Sequence, residues 1–274
     1  MIDANNNLDF IAITNNPSYA FDYDRAGIKY IMIDLEINDK HERQRGRNTL
    51  ISNHDFTDIN KVKGSLSNSE LIVRINPYYP GSEDEINKAV NFGADWIMLP
   101  MAKSAHEVVE VSKLIDGKVK LILLAETSSI MFHIEDLVKD QYIDRVHIGL
   151  NDLSIDTGHK FLFSNMSSSI MKSVLDYLDR VSIPCGIGGV GKFDSGIMNS
   201  KEIIAMHAAL NSDLVILSRT FFDQLDNESE DIIESIKEQI KIMRNHYIKI
   251  KNTESWEVVK DRFNNCLRLI KENN

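Results

Sequence analysis

The sequence has no uninterrupted apolar run approaching the roughly 18 residues of a membrane-spanning helix. Its first residues, Met1-Ile2-Asp3-Ala4-Asn5-Asn6-Asn7, carry neither the basic nor the apolar stretch of a secretory leader. Cysteine is scarce. Cys185 and Cys266 are too few for a disulfide framework and have no metal-like spacing, so both are expected to be ordinary reduced thiols. Positive charge is also in deficit, with 31 Lys and Arg against 41 Asp and Glu, a formal net charge of −10. Nucleic acid and anionic membranes reward a basic surface, so neither is expected as a partner. Any anionic substrate must be met by local cations, and the expected location is the cytoplasm.

What the chain does have is enough apolar material for one large core. With 274 residues and 43% hydrophobic content, it fits a single α/β domain built as a (β/α)8 TIM barrel, which needs about 250 residues. Eight strand candidates fall at residues 10–14, 30–34, 71–75, 96–99, 120–125, 145–149, 183–186 and 214–218. Most are short continuous apolar runs, as expected of parallel strands buried on both faces. Helix-like stretches separate them at 83–92, 105–115, 130–139, 167–180 and 201–209, with Ser82 and Ser104 as expected N-caps. The barrel would occupy about residues 10–250. An additional C-terminal helix at about 254–272 presents an apolar stripe with Trp256, Val259, Phe263 and Leu267, to be covered by its own barrel or by a neighbouring subunit.

Two carboxylates stand out. Glu126 ends Leu121-Ile122-Leu123-Leu124-Ala125-Glu126, and Asp152 follows Val146-His147-Ile148-Gly149-Leu150-Asn151, each before a helix-like stretch. Both would emerge at the rim where strands end. Two hard oxygen ligands there, completed by water and substrate oxygens, suit Mg²⁺, Mn²⁺ or another divalent cation. Arg74 and Pro100 belong to the same series, since positions 74, 100, 126 and 152 lie 26 residues apart, about the length of one βα unit. Gly188 and Gly189, in the glycine-rich run 186–191, and Ser218 would line the corner after strands seven and eight. TIM barrels commonly bind anions at that corner. The expected substrate-binding set is Arg74, Pro100, Gly188, Gly189 and Ser218.

Asp34-Leu35-Glu36, Val73-Arg74-Ile75-Asn76, Gly93-Ala94-Asp95-Trp96-Ile97-Met98-Leu99-Pro100, Ala125-Glu126-Thr127 and Ile148-Gly149-Leu150-Asn151-Asp152-Leu153-Ser154 resemble, in order and spacing, the HpcH/HpaI aldolase and citrate lyase β-subunit family. The resemblance spans roughly residues 10–222. It implies a pyruvate-handling barrel of the phosphoenolpyruvate/pyruvate type that makes or breaks a carbon–carbon bond with a divalent metal. It assigns Glu126 and Asp152 to the metal, Arg74 to the substrate carboxylate or enolate oxygen, and Asp34 and Glu36 to the catalytic neighbourhood. It further implies a small 2-oxo acid substrate and a homo-oligomer assembled through the C-terminal helix.

The sequence departs from the family pattern at two places. Ile37 stands where the family has His or an acidic residue, leaving His41 or His54 on the long polar connection as substitutes for proton transfer. Met101 follows Pro100 where Lys is frequent, and Lys103, the nearest cation, reads most simply as a surface residue. Two other functions stay open: another enzyme of the same barrel type acting on a phosphorylated substrate, or a catalytically idle barrel with a binding role.

Overall fold

In the computed structural model, which describes residues 7–37, 54–226 and 231–272, eight strands form a closed barrel in the order β1 to β8. They are β1 (Asp9–Ile13), β2 (Tyr30–Asp34), β3 (Glu70–Arg74), β4 (Trp96–Leu99), β5 (Lys120–Ala125), β6 (Arg145–Ile148), β7 (Cys185–Val190) and β8 (Leu214–Leu217). Pairing is parallel from β2 through β5, and again for β7 with β8 and β8 with β1. Every residue of β2, β4 and β6 is buried. That explains why these strands read as continuous apolar runs rather than alternations.

Contacts divide the chain into two units, Ala12–Val146 and a second made of Met1–Ile11 with His147–Asn274. In the first unit the helices are α1 (Pro17–Arg25), α2 (Phe56–Lys63), α3 (Ser82–Asn91), α4 (Ala105–Ile115) and α5 (Ser128–Lys139). Asp55 opens α2 by accepting the Thr57 N–H at 2.7 Å, and Asp58 returns the bond by accepting the Asp55 N–H at 3.1 Å. This reciprocal capping satisfies donors that the first turn leaves without intrahelical partners. It also ends the long polar connection after β2 earlier than the sequence suggested, with Asp58 already helical. Residues 38–53, including His41, lie outside the described residues.

Ser104 caps α4 as expected, accepting the Glu107 N–H at 3.4 Å. Ser82 does not cap α3. It is the first helical residue behind Gly81, and its Oγ accepts the Tyr79 N–H at 3.0 Å, bracing the turn before the helix.

The second unit carries α6 (Leu150–Asp156), a 3₁₀ turn (Leu162–Asn165), α7 (Ser169–Arg180), α8 (Ser200–Ala209), α9 (Arg219–Asp226), α10 (Ile232–Thr253) and α11 (Trp256–Glu272). The helix directly after β8 is the short α9, and the long α10 comes after it in the chain. Val259, Phe263 and Leu267 of α11 are buried, and the helix packs on α8 of its own chain. An apolar stripe of this kind contributes roughly 1.5–3 kcal/mol per fully buried large side chain.

Strand β7 differs most from expectation. The sequence placed Gly188 and Gly189 in a loop beyond a strand ending at 186, yet both lie inside β7, which runs to Val190. The glycines serve close approach: a Cβ at Gly186 would sit 2.3 Å from His147 Nδ1, and the pairing with β8 shifts between Gly186 and Gly189. Gly188 takes φ 45°, a left-handed conformation that glycine adopts without a side-chain clash.

Candidate active site

Four of the residues singled out by sequence meet in the first unit. Asp34 closes β2 and Arg74 closes β3, and the strand register sets them opposite each other. Arg74 Nε donates to Asp34 Oδ1 at 2.8 Å and Nη2 donates to Oδ2 at 2.7 Å, a two-pronged ion pair. Glu36 Oε2 lies 3.5 Å from the same Nε. Asp34, Glu36 and Glu126 are all buried, at 2%, 3% and 5% exposure. Burial alone would lower the Arg74 pKa, but Asp34, then Glu36 and Glu126, raise it above the ordinary guanidinium value. Among the described residues one guanidinium thus answers three carboxylates, and its Nη1 edge carries no hydrogen bond.

Glu126 is fixed by the junction that follows β5. Thr127 caps α5 by accepting the Ile130 N–H at 3.3 Å while its own hydroxyl donates to Ala102 O at 2.8 Å. Glu126 is therefore held between a strand end and a helix cap. Its Oε1 accepts the Met101 N–H at 3.0 Å. Met101 has φ 51°, a left-handed conformation that costs a residue with a side chain roughly 1 kcal/mol. At the place where the family pattern carries Lys, this chain presents a backbone donor. Pro100, just before it, is buried, and Lys103 is exposed as the sequence suggested.

The loop after β2 brings in His54, whose Nδ1 accepts the Asp34 N–H at 2.9 Å. A neutral ring accepting at Nδ1 carries its proton on Nε2. Of the two histidines considered from sequence, this one is held at the end of β2.

The remaining predicted residues belong to the second unit. Asp152 is half-buried in the first turn of α6. Ser218 follows β8, donating its N–H to Val190 O at 2.8 Å and pairing its hydroxyl with Thr220 at 2.8 Å. Gly188 and Gly189 are half-buried in β7, and a Cβ on Gly188 would meet Leu150 at 2.6 Å. These glycines are explained by packing within their own unit. Among the described residues no group of three or more His, Cys, Asp or Glu has metal-binding geometry.

Sequence reading missed three contributors. Met101 acts through its amide, which no side-chain pattern reveals. Asn76 stood in the Val73–Asn76 motif without a role, and Glu85 fell within the helix-like stretch 83–92 without one. A cleft of about 630 Å³ lies at the opposite ends of the strands, lined by residues such as Glu70, Asp95 and Asp144. Its carboxylates are already engaged, Glu70 with Trp96 Nε1, Asp95 with the Leu71 N–H and Asp144 with the Leu121 N–H. They bind the starts of strands and form no reactive group.

The solved structures similar to this chain include the HpcH/HpaI aldolase from Desulfitobacterium hafniense DCB-2, with 15% identity over 78% of this chain and 86% of that one and a TM-score of 0.57. A HpcH/HpaI aldolase/citrate lyase family protein from Burkholderia cenocepacia J2315 shares 16% identity over 79% of this chain and 89% of that one, with a TM-score of 0.61. These identities speak to the fold. A curated pyruvate kinase of Agrobacterium vitis is 26% identical over 130 residues, 45% of this chain but only 26% of the kinase. No helix among the described residues is long and apolar enough to cross a membrane. The HpcH/HpaI aldolase/citrate lyase family model matches residues 10–167, more than half of the sequence, and on that match the chain belongs to this family.

Proposed function

We propose that this protein is a divalent-metal-dependent carbon–carbon lyase that cleaves or forms a bond to a pyruvate-type enolate. The observation that carries the reading is the buried cluster of Asp34, Glu36 and Glu126 beside Arg74 at the ends of β2, β3 and β5. Clustered carboxylates offer the all-oxygen donor set that suits Mg²⁺ or Mn²⁺. Glu126 and Asp152 are the proposed ligands, each at the start of the loop or helix that follows its strand. A divalent cation bound there supplies Lewis acidity toward the oxygens of a 2-oxo acid.

The chain's own residues account for the rest of the proposed chemistry. Arg74 binds the substrate carboxylate or the developing enolate oxygen through its Nη1 edge, while Asp34 fixes the guanidinium plane with the other two donors. The Met101 N–H orients Glu126. His54, tied to the Asp34 amide, is the proposed proton-transfer group in place of the residue replaced by Ile37. In the cleaving direction it takes the hydroxyl proton of a 4-hydroxy-2-oxo acid at Nδ1, which requires the Asp34 N–H to release that nitrogen, because Nε2 already carries the ring proton. Partial similarity to a pyruvate kinase also favours a pyruvate-type substrate.

The test is release of pyruvate from a panel of 4-hydroxy-2-oxo acids, followed by a lactate-dehydrogenase-coupled assay with and without EDTA. Exchange of pyruvate methyl protons with solvent deuterium is measured in parallel. Pyruvate release that EDTA abolishes is the expected result. Absence of both release and exchange would overturn the lyase reading in favour of an idle barrel. Exchange without release would assign a working enolising half and leave the electrophile to be found. The second reading, a barrel enzyme acting on a phosphorylated substrate, is favoured only by the pyruvate kinase similarity, and product analysis separates it.

A further inference from the structure

A run of hydrogen bonds enters the Arg74 cluster from outside it. Glu85, in the first turn of α3, is 4% exposed, and its Oε1 accepts both the backbone N–H of Asn76 at 3.2 Å and the Asn76 side-chain N–H at 2.8 Å. Asn76 lies two residues beyond Arg74 and is itself buried. Its Oδ1 accepts the Ile37 N–H at 3.0 Å, one residue beyond Glu36. The end of β3 is thereby tied to the end of β2.

The amides at the end of β2 can be followed one by one. Asp34 donates to His54 Nδ1, Leu35 to Arg74 O, Glu36 to Asp34 Oδ1 and Ile37 to Asn76 Oδ1. The first reaches His54, and the second and third stay within the cluster and its neighbouring strand. The fourth is accepted by a side chain whose orientation is decided elsewhere. An Asn amide has an accepting and a donating end. With Glu85 accepting from Nδ2, the oxygen must turn toward Ile37; the opposite orientation would set oxygen against oxygen and donor against donor. Glu85 thus selects the orientation of Asn76 that restrains the β2 loop.

We propose that Glu85 is a positioning residue for the Asp34–Glu36–Arg74 cluster, acting through the amide of Asn76 on the Ile37 N–H and so on the loop that carries Glu36. What the cluster does for substrate rests on the lyase reading above; the clamp itself does not. The contact needs an acceptor at Oε1 and not a negative charge, because Oε2 has no hydrogen-bond partner among the described residues. Burial also pushes the Glu85 carboxyl above the usual carboxylate range, with the Asn76 bonds opposing that rise. Glutamine therefore keeps the clamp, whereas leucine fills the space and leaves two Asn76 donors without their acceptor.

The experiment compares full-length wild type, Glu85→Gln and Glu85→Leu by amide hydrogen exchange and by oxalate binding in the presence of Mg²⁺. Glu85→Leu is expected to speed exchange at Glu36 and Ile37 by at least about tenfold, with β4 and β5 amides little changed, and to weaken oxalate by about tenfold. Glu85→Gln should restore both. Should Glu85→Leu fail to fold, Asn76→Ala removes the same bond from its other end and must give the same local exchange. Unchanged exchange at Ile37, a rise spread equally over the barrel, or failure of glutamine to rescue would each overturn the proposal. Normal oxalate affinity in Glu85→Leu despite faster local exchange would also overturn it, reducing Glu85 to a structural contact. A wild type that neither binds oxalate nor releases pyruvate counts against the lyase reading, and exchange at Ile37 still decides the clamp.

Discussion

Asp34 and Arg74 face each other across paired strands, and Asp34 takes two of the guanidinium donors that sequence reasoning reserved for substrate. Arg74 consequently has a fold-supporting role alongside its proposed ligand role. Removing one partner of a buried pair leaves an uncompensated charge, so Arg74→Ala should cost about 3–5 kcal/mol in urea unfolding. Arg74→Lys keeps the charge but loses the two-pronged geometry, and should cost less while weakening oxalate by at least about tenfold. A lysine variant with lower stability and unchanged oxalate affinity would leave Arg74 with the ion pair alone.

Cation binding is tested separately from catalysis. Glu126→Gln and Asp152→Asn each remove the charge of one proposed oxygen ligand while preserving shape, so calorimetric titration with Mg²⁺ or Mn²⁺ should show affinity reduced by at least about tenfold, roughly 1.4 kcal/mol. Wild-type affinity in both variants would remove these residues from the proposed metal site.

The strand pattern was legible because burial on both faces leaves short unbroken apolar runs, and β2, β4 and β5 fall where those runs lie. Arg74 and Glu126 were legible as strand-end residues in a regular series, and Asp34 through the family resemblance. The short helices α1, α2, α6 and α9 were not. α6 has only seven residues and α2 eight, which gives little room for a 3.6-residue period to declare itself. Strand β7 was cut short because glycine ordinarily weakens a strand, and its need for glycine comes from His147, distant in sequence. The Glu85–Asn76–Ile37 clamp was hidden for a similar reason, since it joins residues 37, 76 and 85 through an amide orientation that only tertiary placement defines.

Asp24 gives a stability prediction outside the site. This buried carboxylate on α1 accepts the N–H groups of Ser67, Asn68 and Ser69 at 3.3, 2.8 and 2.6 Å, holding the turn that leads into β3. Burial would raise its pKa, but the Ser69, Asn68 and Ser67 bonds outweigh that and lower it. Because the folded state holds the proton less tightly, the stabilisation is present above the unfolded carboxylate value and is lost as pH falls through the folded one. Asp24→Asn should therefore cost about 1–3 kcal/mol at pH 7 and progressively less in acid. A cost independent of pH in urea unfolding would show that the charge of Asp24 is not what holds the turn.

His207 should give acid sensitivity of a different origin. It is fully buried in α8, with Nδ1 2.9 Å from Ser212 Oγ, and Nε2 has no partner among the described residues. Burial, reinforced by nearby His147, pushes its pKa down to about 3. The unfolded chain takes up this proton near pH 6.5 and the folded chain does not until about pH 3, so between these values the unfolded state binds more protons. Stability should fall as pH drops through that window, by at most about 1.4 kcal/mol per pH unit from this group. Urea unfolding of wild type and His207→Gln at pH 7, 6 and 5 isolates it, because the other titrating groups are common to both proteins. Wild type should lose its stability relative to His207→Gln as the medium is acidified. A difference that stays constant from pH 7 to pH 5 would mean that His207 is protonated as readily in the folded protein as in the unfolded chain.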